Sequence, residues 1–133
     1  MTFSVTAYEH VGIRVSNRER ATKFYEKLGW YEEIDIPAGH ANEIVNAAGV
    51  RINLIFNANA TSIHPHNVLQ DQAEKLPGIT HVAFIVNSLD ALMDMLSREG
   101  IPITEGPVVF ADRRRALFIR DPDKNVLEFN ELK

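Results

Sequence analysis

The chain has 133 residues, 45% of them hydrophobic, a formal net charge of −4 and no cysteine. That length suits one compact domain, or two short modules sharing a core. The charge excludes a broad nucleic-acid footprint, with Arg113-Arg114-Arg115 as the sole basic run, and the missing cysteine excludes thiolate metal sites, cysteine nucleophiles and disulfides.

In chain order, Met1 to Glu9 has neither the basic nor the apolar stretch of a secretion signal, and no apolar run is long enough to span a bilayer. The expectation is a cytoplasmic protein with no membrane or nucleic-acid partner. Val11, Ile13 and Val15 then alternate as a strand, with His10, Gly12 and Arg14 on its other face. Ser16-Asn17-Arg18-Glu19 reads as a capping box with Ser16 as N-cap. Ala21, Phe24, Tyr25 and Leu28 form the apolar stripe of a short helix, and Gly29 stops it. Three strands follow at about 30–36, 42–47 and 50–56, divided by turns at Pro37-Ala38-Gly39 and Ala48-Gly49. His40 reads as a turn residue, and Glu43 as an exposed hairpin carboxylate rather than a base in a pocket.

A polar connector, about 58–78, separates this module (about 5–57) from a second (about 79–133) within one domain. It is expected to hold a helical turn near Leu69 to Leu76. His64 and His66, in its His-Pro-His, read as solvated rather than as a lid over substrate. The second module restarts at Ile79, with Asn87 in the cap position of a helix striped by Leu89, Leu92, Met93 and Leu96 and closed by Gly100. Strands are expected at about 101–104, 107–110, 114–120 and 125–131, the last two joined by Asp121-Pro122-Asp123-Lys124.

The modules repeat one another. His10 stands as far before Gly29 as His81 stands before Gly100, each at the head of a strand–helix unit. Copies packed about a pseudo-twofold axis bring such a pair of imidazoles to one centre, which is how a metal site is built. The modules also end alike, in Arg51-Ile52-Asn53-Leu54-Ile55 and Val126-Leu127-Glu128-Phe129-Asn130. A carboxylate between Leu127 and Phe129 on a central strand is costly to bury unless an arginine or a bound cation meets it. His10, His81 and Glu128 supply two imidazoles and one carboxylate, a set that leaves coordination positions open for substrate. Asn53 is a weak fourth ligand or a donor behind the ligands.

Ordered motifs along nearly the whole chain resemble the vicinal oxygen chelate superfamily, which includes glyoxalase I, extradiol dioxygenases and bleomycin-binding proteins. They are Glu9-His10-Val11-Gly12-Ile13, Phe24-Tyr25-Glu26-Lys27-Leu28-Gly29, Thr80-His81-Val82-Ala83-Phe84, Gly100-Ile101, Glu105-Gly106-Pro107-Val108 and the run from Arg120 to Glu128. The resemblance implies an α+β fold of two βαβββ modules whose sheets curve into a cup. It also implies a divalent ion (Fe, Mn, Zn, Ni or Co) on His10, His81 and Glu128, and a homodimer whose sites draw on both chains. Glu128 would then be ligand and base.

Asn53 stands where the glyoxalase I pattern has a glutamate, which favours dioxygenase-like chemistry on a small substrate chelated through vicinal oxygens. A glyoxalase I-like lyase or isomerase and a metal-free drug-binding protein are the alternatives. Lys124 replaces the usual glycine of the Asp-Pro-Asp-Gly turn. Successive arginines entering a strand point to alternate faces, so Arg114 or Arg115 faces the groove and is expected to bind an anionic substrate. The sequence does not say which.

Overall fold

The computed structural model describes residues 1–59 and 67–133; His64 and His66 lie outside the described residues. The chain divides into two compact units, Met1–Ala60 and Thr61–Lys133, each with the order strand, helix and three strands. The fold is α+β, built of two βαβββ modules with mixed four-stranded sheets. No helix among the described residues is long and apolar enough to cross a membrane.

The first unit consists of β1 (Val11–Arg14), α1 (Arg18–Lys27), β2 (Tyr31–Ile36), β3 (Ala41–Val45) and β4 (Arg51–Ile55). Its sheet has the order β1-β4-β3-β2, with β1 parallel to β4 and the other pairs antiparallel. Ile13, Ile44, Ile52 and Leu54 of the sheet are buried, as are Ala21, Phe24 and Tyr25 of α1. Trp30 is buried behind the helix, and its indole donates to the Val50 carbonyl at 3.0 Å. A short 3-10 turn, Pro37–Gly39, joins β2 to β3 and ends on His40 in the left-handed region (φ 51°).

The second unit consists of β5 (His81–Ile85), α2 (Leu89–Glu99), β6 (Glu105–Phe110), β7 (Arg114–Arg120) and β8 (Val126–Leu132). Its order, β5-β8-β7-β6, repeats the first, with β5 parallel to β8. Helix α2 lies against β7 and β8. Leu89 and Leu96 of the helix are buried, as are Ala116, Leu117, Ile119, Val126, Leu127 and Phe129 of the sheet.

Both helix caps fall one residue later than the sequence reading places them. Asn17, extended at φ −145°, accepts from Arg20 N at 2.8 Å, and Ser88 accepts from Ala91 N at 3.1 Å. The Ser16 hydroxyl instead accepts from the Arg20 guanidinium at 3.0 Å. Glu19 thus falls one position short of the third helical site that a capping box needs. No strand forms at 101–104: Pro102 has no N–H to give a ladder, and β6 starts at Glu105. At the expected helical turn near Leu69 the backbone closes a single turn, Gln70 N and Asp71 N donating to the Asn67 carbonyl at 3.2 and 2.9 Å, and the Asn67 side chain reinforces it. Asn67 Oδ1 accepts from Leu69 N and Gln70 N at 2.9 and 3.1 Å. Asp71 then anchors the segment to β7 through Arg120, at 2.8 Å to Nη2. This hydrogen bond outweighs the loss of hydration and raises the Arg120 pKa.

Candidate functional site

Strand alternation decides which side chains meet. In the second unit, β5 runs beside β8 with Ala83 opposite Glu128, and β7 runs on its other side with Phe118 opposite Glu128 and Ala116 opposite Asn130. His81, Glu128, Asn130 and Arg114 therefore share one face, where they line a cavity of about 350 Å³ with Ala83, Ile85, Arg113 and Leu132. In the first unit the same register places Gly12 opposite Asn53 on β1 and β4. Asn53 thus occupies the lattice position that Glu128 holds in the second.

Glu128 is 4% exposed, a burial that a bare carboxylate tolerates only with cationic or donor partners. Both of its oxygens have one. Oε1 faces His81 Nε2 at 3.1 Å, and Oε2 accepts from Arg114 Nη1. The same Arg114 nitrogen donates to Asn130 Oδ1. The guanidinium carbon lies 4.6 Å from the Phe110 ring centroid, which seats it on the cavity wall. His81 is held from the far side, its Nδ1 lying 2.8 Å from the Thr80 hydroxyl, and Phe118 meets its ring edge-on at 5.6 Å. In the first unit His10 Nδ1 lies 2.6 Å from Glu9 Oε1. Each imidazole is therefore held at Nδ1 by the residue before it.

The two arginines separate. Arg115 lies on the opposite face of β7 from Arg114 and donates to Asp90 of α2 at 2.9 Å. Glu43 is not an exposed hairpin carboxylate. It lies in β3 opposite Asn53, its side chain 21% exposed, and accepts from Arg51 Nη1 at 3.0 Å. Arg51 also donates to Glu33 at 2.8 Å, the main cause of its raised pKa. Asn130 and Phe110 are site residues that the sequence reading missed. Asn130 was accessible from its position two residues beyond Glu128, on the same face; Phe110 needed the register of β6 on β7.

The donor set fits a divalent ion in part. Two ligands about 2.1 Å from a common ion, at a right angle, are about 3.0 Å apart. His81 Nε2 and Glu128 Oε1 already have nearly that spacing. In the first unit Asn53 Oδ1 is buried without a hydrogen-bond partner among the described residues, an acceptor that a cation or donor would satisfy. Among the described residues no three His, Asp or Glu side chains converge as a metal-holding group.

A curated relative, the virulence protein STM3117 of Salmonella typhimurium, is 24% identical over 129 residues, spanning 92% of this chain and 82% of that protein. Among solved structures, a glyoxalase/dioxygenase from Nostoc punctiforme matches with a TM-score of 0.74 at 19% identity, covering 100% of this chain and 99% of that one. TnmS3, an antibiotic binding protein from a Streptomyces species, matches with a TM-score of 0.70 at 19% identity, covering 99% and 100%. These two likenesses concern the fold. The family assignment rests on a sequence profile that matches residues 7–129. With the duplicated βαβββ unit, it makes this chain a member of the Glyoxalase/Bleomycin resistance protein/Dioxygenase superfamily.

Proposed function

We propose that the chain is a divalent-metal-dependent enzyme whose ion, one of Fe, Mn, Zn, Ni or Co, is held by His10, His81 and Glu128. Its substrate is a small anion presenting two neighbouring oxygens. The observation that carries this reading is the approach of His81 Nε2 to Glu128 Oε1, 3.1 Å, in an open cavity that also holds Arg114. Members of the superfamily commonly bind divalent metals, act on small molecules and form oligomers. The ion would supply Lewis acidity toward the chelated oxygens.

The chain's own residues do the rest. Glu128 is a ligand and, through its second oxygen, a base once Arg114 moves off it. Thr80 holds His81 with Nε2 toward the cavity. Arg114 engages its partners through Nη1; Nε and Nη2 carry three further N–H groups, an edge that grips a carboxylate or phosphonate in two bonds. Asn53 backs the site as a fourth ligand or a donor. Two imidazoles and one carboxylate favour dioxygenase-like chemistry over a glyoxalase I-like proton shuttle, which calls for a carboxylate where Asn53 stands. The working unit we infer is a cytoplasmic homodimer whose sites take ligands from both chains.

A second reading has an observation of its own. Arg114 already neutralises Glu128, so the buried carboxylate does not require a metal, as in a metal-free small-molecule binding protein. Elemental analysis of protein purified without a histidine tag decides between them. About one divalent ion per chain, lost in His81→Ala, supports the enzyme. Unchanged metal content in that variant overturns it.

A further inference from the structure

The cavity of the second unit carries more positive charge than its own carboxylate cancels. His81 aside, the charged side chains that line it are Arg113, Arg114 and Glu128, two guanidiniums against one carboxylate. Arg114 answers Glu128 and lies on Phe110. Arg113 is exposed, and its guanidinium meets no carboxylate among the described residues. Its backbone, by contrast, is held on both sides. Arg113 N donates to the Phe110 carbonyl, and the Arg113 carbonyl accepts from Lys133 N, each at 3.0 Å. Between Phe110 and Arg113, Ala111 and Asp112 both lie in the left-handed region (φ 53° and 50°). Asparagine and glycine are usual in such a two-residue turn, and alanine there is strained. The tight turn sets Arg113 at the edge of the cavity, next to the ring that seats Arg114.

We propose that Arg113, beside Arg114, binds the charged head of the ligand, and that this ligand is an organic monocarboxylate with an apolar body, taken up without a metal. One guanidinium in excess matches a carboxylate, which carries a single charge at neutral pH, better than a phosphate, which carries nearly two. Arg114 keeps Glu128 neutralised, so that the resident carboxylate does not repel the incoming one. The apolar body follows from the register. Ile85 lies opposite Asn130 and Leu132 opposite Arg114, which puts both on the cavity face, and both are exposed. Ala83, opposite Glu128, continues that surface. A volume of about 350 Å³ holds a ring or a short chain. The inference rests on the reading above in taking this cavity as the substrate site, and it narrows the small anion to one class.

Titration of the full chain with hydrocinnamate in EDTA, followed by ¹H–¹⁵N spectra, tests this without reference to activity. Saturable shifts are expected at the amides of Ala83, Ile85 and Arg113. Acetate has the charge without the body, hydrocinnamyl alcohol the body without the charge, and each should bind about tenfold more weakly or worse. Arg113→Gln removes the free charge from an exposed position, and hydrocinnamate affinity should fall about tenfold, the lower end for a charge-assisted contact. Arg115→Gln removes an equal charge from the opposite face of β7, and should change the affinity less than about twofold.

No binding of hydrocinnamate, undiminished affinity in Arg113→Gln or an equal loss in Arg115→Gln overturns the proposal, as does tighter binding of inorganic phosphate. Zn²⁺ uptake by the same proteins, measured without EDTA, tells this failure from that of the metal reading. A wild type that takes up Zn²⁺ but ignores hydrocinnamate leaves the metal reading standing alone. Hydrocinnamate bound by a protein that takes up no Zn²⁺ upholds the carboxylate site and removes the ion from it. Should Arg113→Gln lack a cooperative thermal transition, the wild type answers directly. Its Arg113 guanidinium ¹⁵N resonance should shift as hydrocinnamate saturates, and a resonance that stays put overturns the assignment.

Discussion

The Thr80 hydroxyl lies 2.8 Å from His81 Nδ1, one residue before the strand that carries the imidazole into the cavity. Glu9 Oε1 stands in the same relation to His10 Nδ1, at 2.6 Å. Which nitrogen of a histidine meets a metal is set by the hydrogen bond that the other makes, and ligating histidines characteristically engage that other nitrogen with a carboxylate, hydroxyl or carbonyl. The two modules thus repeat a side-chain contact at the histidine Nδ1 as well as the histidine itself, the arrangement that the proposed ligand role calls for. Glu9 is exposed, its other oxygen 3.9 Å from Arg51 Nε, and Thr80 is half-buried.

Removing the aiming hydroxyl should therefore cost metal affinity without costing the fold. Thr80→Val is isosteric and lies outside the strand ladder. We expect its Zn²⁺ affinity to fall by about 10- to 100-fold, the usual effect of losing a partner behind a ligand. Glu9→Gln keeps an acceptor oxygen and should lose less. Thermal melts monitored by circular dichroism should overlay the wild type for both. An unchanged affinity in Thr80→Val would mean that His81 is aimed by packing on Phe118 alone.

Arg114 and Arg115 should separate completely. Arg114→Lys replaces a planar fork by a point charge, and binding of oxalate to the Mn²⁺-loaded protein, a probe with vicinal oxygens and two negative charges, should weaken by about 1.5–3 kcal/mol. Arg115 is paired with the exposed Asp90 across the opposite face, so Arg115→Lys should leave oxalate binding unchanged and alter stability by at most about 0.5 kcal/mol. Calorimetry on the two variants checks both. Equal losses would place the substrate anchor elsewhere.

Lys124 tests the fold rather than the site. It sits at φ 70° in the turn between β7 and β8, where its N–H donates to the Asp121 carbonyl at 2.9 Å. An L side chain at that angle costs about 1 kcal/mol that glycine does not pay. Lys124→Gly should raise stability by about that amount, and the melting temperature by about 3–6 °C. A lowered melting temperature would show that the lysine side chain contributes more than its backbone strain removes.

The repeat was legible because its signals are local: an alternating strand, a helical stripe and a closing glycine within each stretch from His10 to Gly29 and from His81 to Gly100. The caps were misplaced because Ser16 and Asn17, like Asn87 and Ser88, are both good caps by residue type. Backbone dihedrals choose between them, and composition does not report dihedrals. Arg114 and Arg115 were inseparable for a related reason. Alternation says that they face apart, but which one faces Glu128 depends on where β7 registers on β8, with Arg114 opposite Leu132 and Phe118 opposite Glu128. Glu43 was read as exposed because the partner that covers it, Arg51, lies on the next strand of a hairpin whose pairing the sequence leaves open. What needed register or a partner across the sheet was hidden; what needed only periodicity was not.

The last prediction concerns assembly. If the site draws His10 from one chain and His81 with Glu128 from another, His10→Ala and His81→Ala proteins are each metal-deficient as homodimers. A mixed dimer then has one site missing both histidines and one site with its full set. Mixing the two variants and allowing subunit exchange, followed by mass spectrometry of intact dimers, should therefore restore Zn²⁺ binding to about one ion per mixed dimer, roughly half the wild-type content at full conversion. The affinity of the restored site should equal the wild type, because its ligands are unaltered. Exchange demonstrated by mass spectrometry without any return of Zn²⁺ would place all three ligands of each site in a single chain. The outcome is independent of substrate identity, and it does not depend on the behaviour of Arg114, which is intact in both variants.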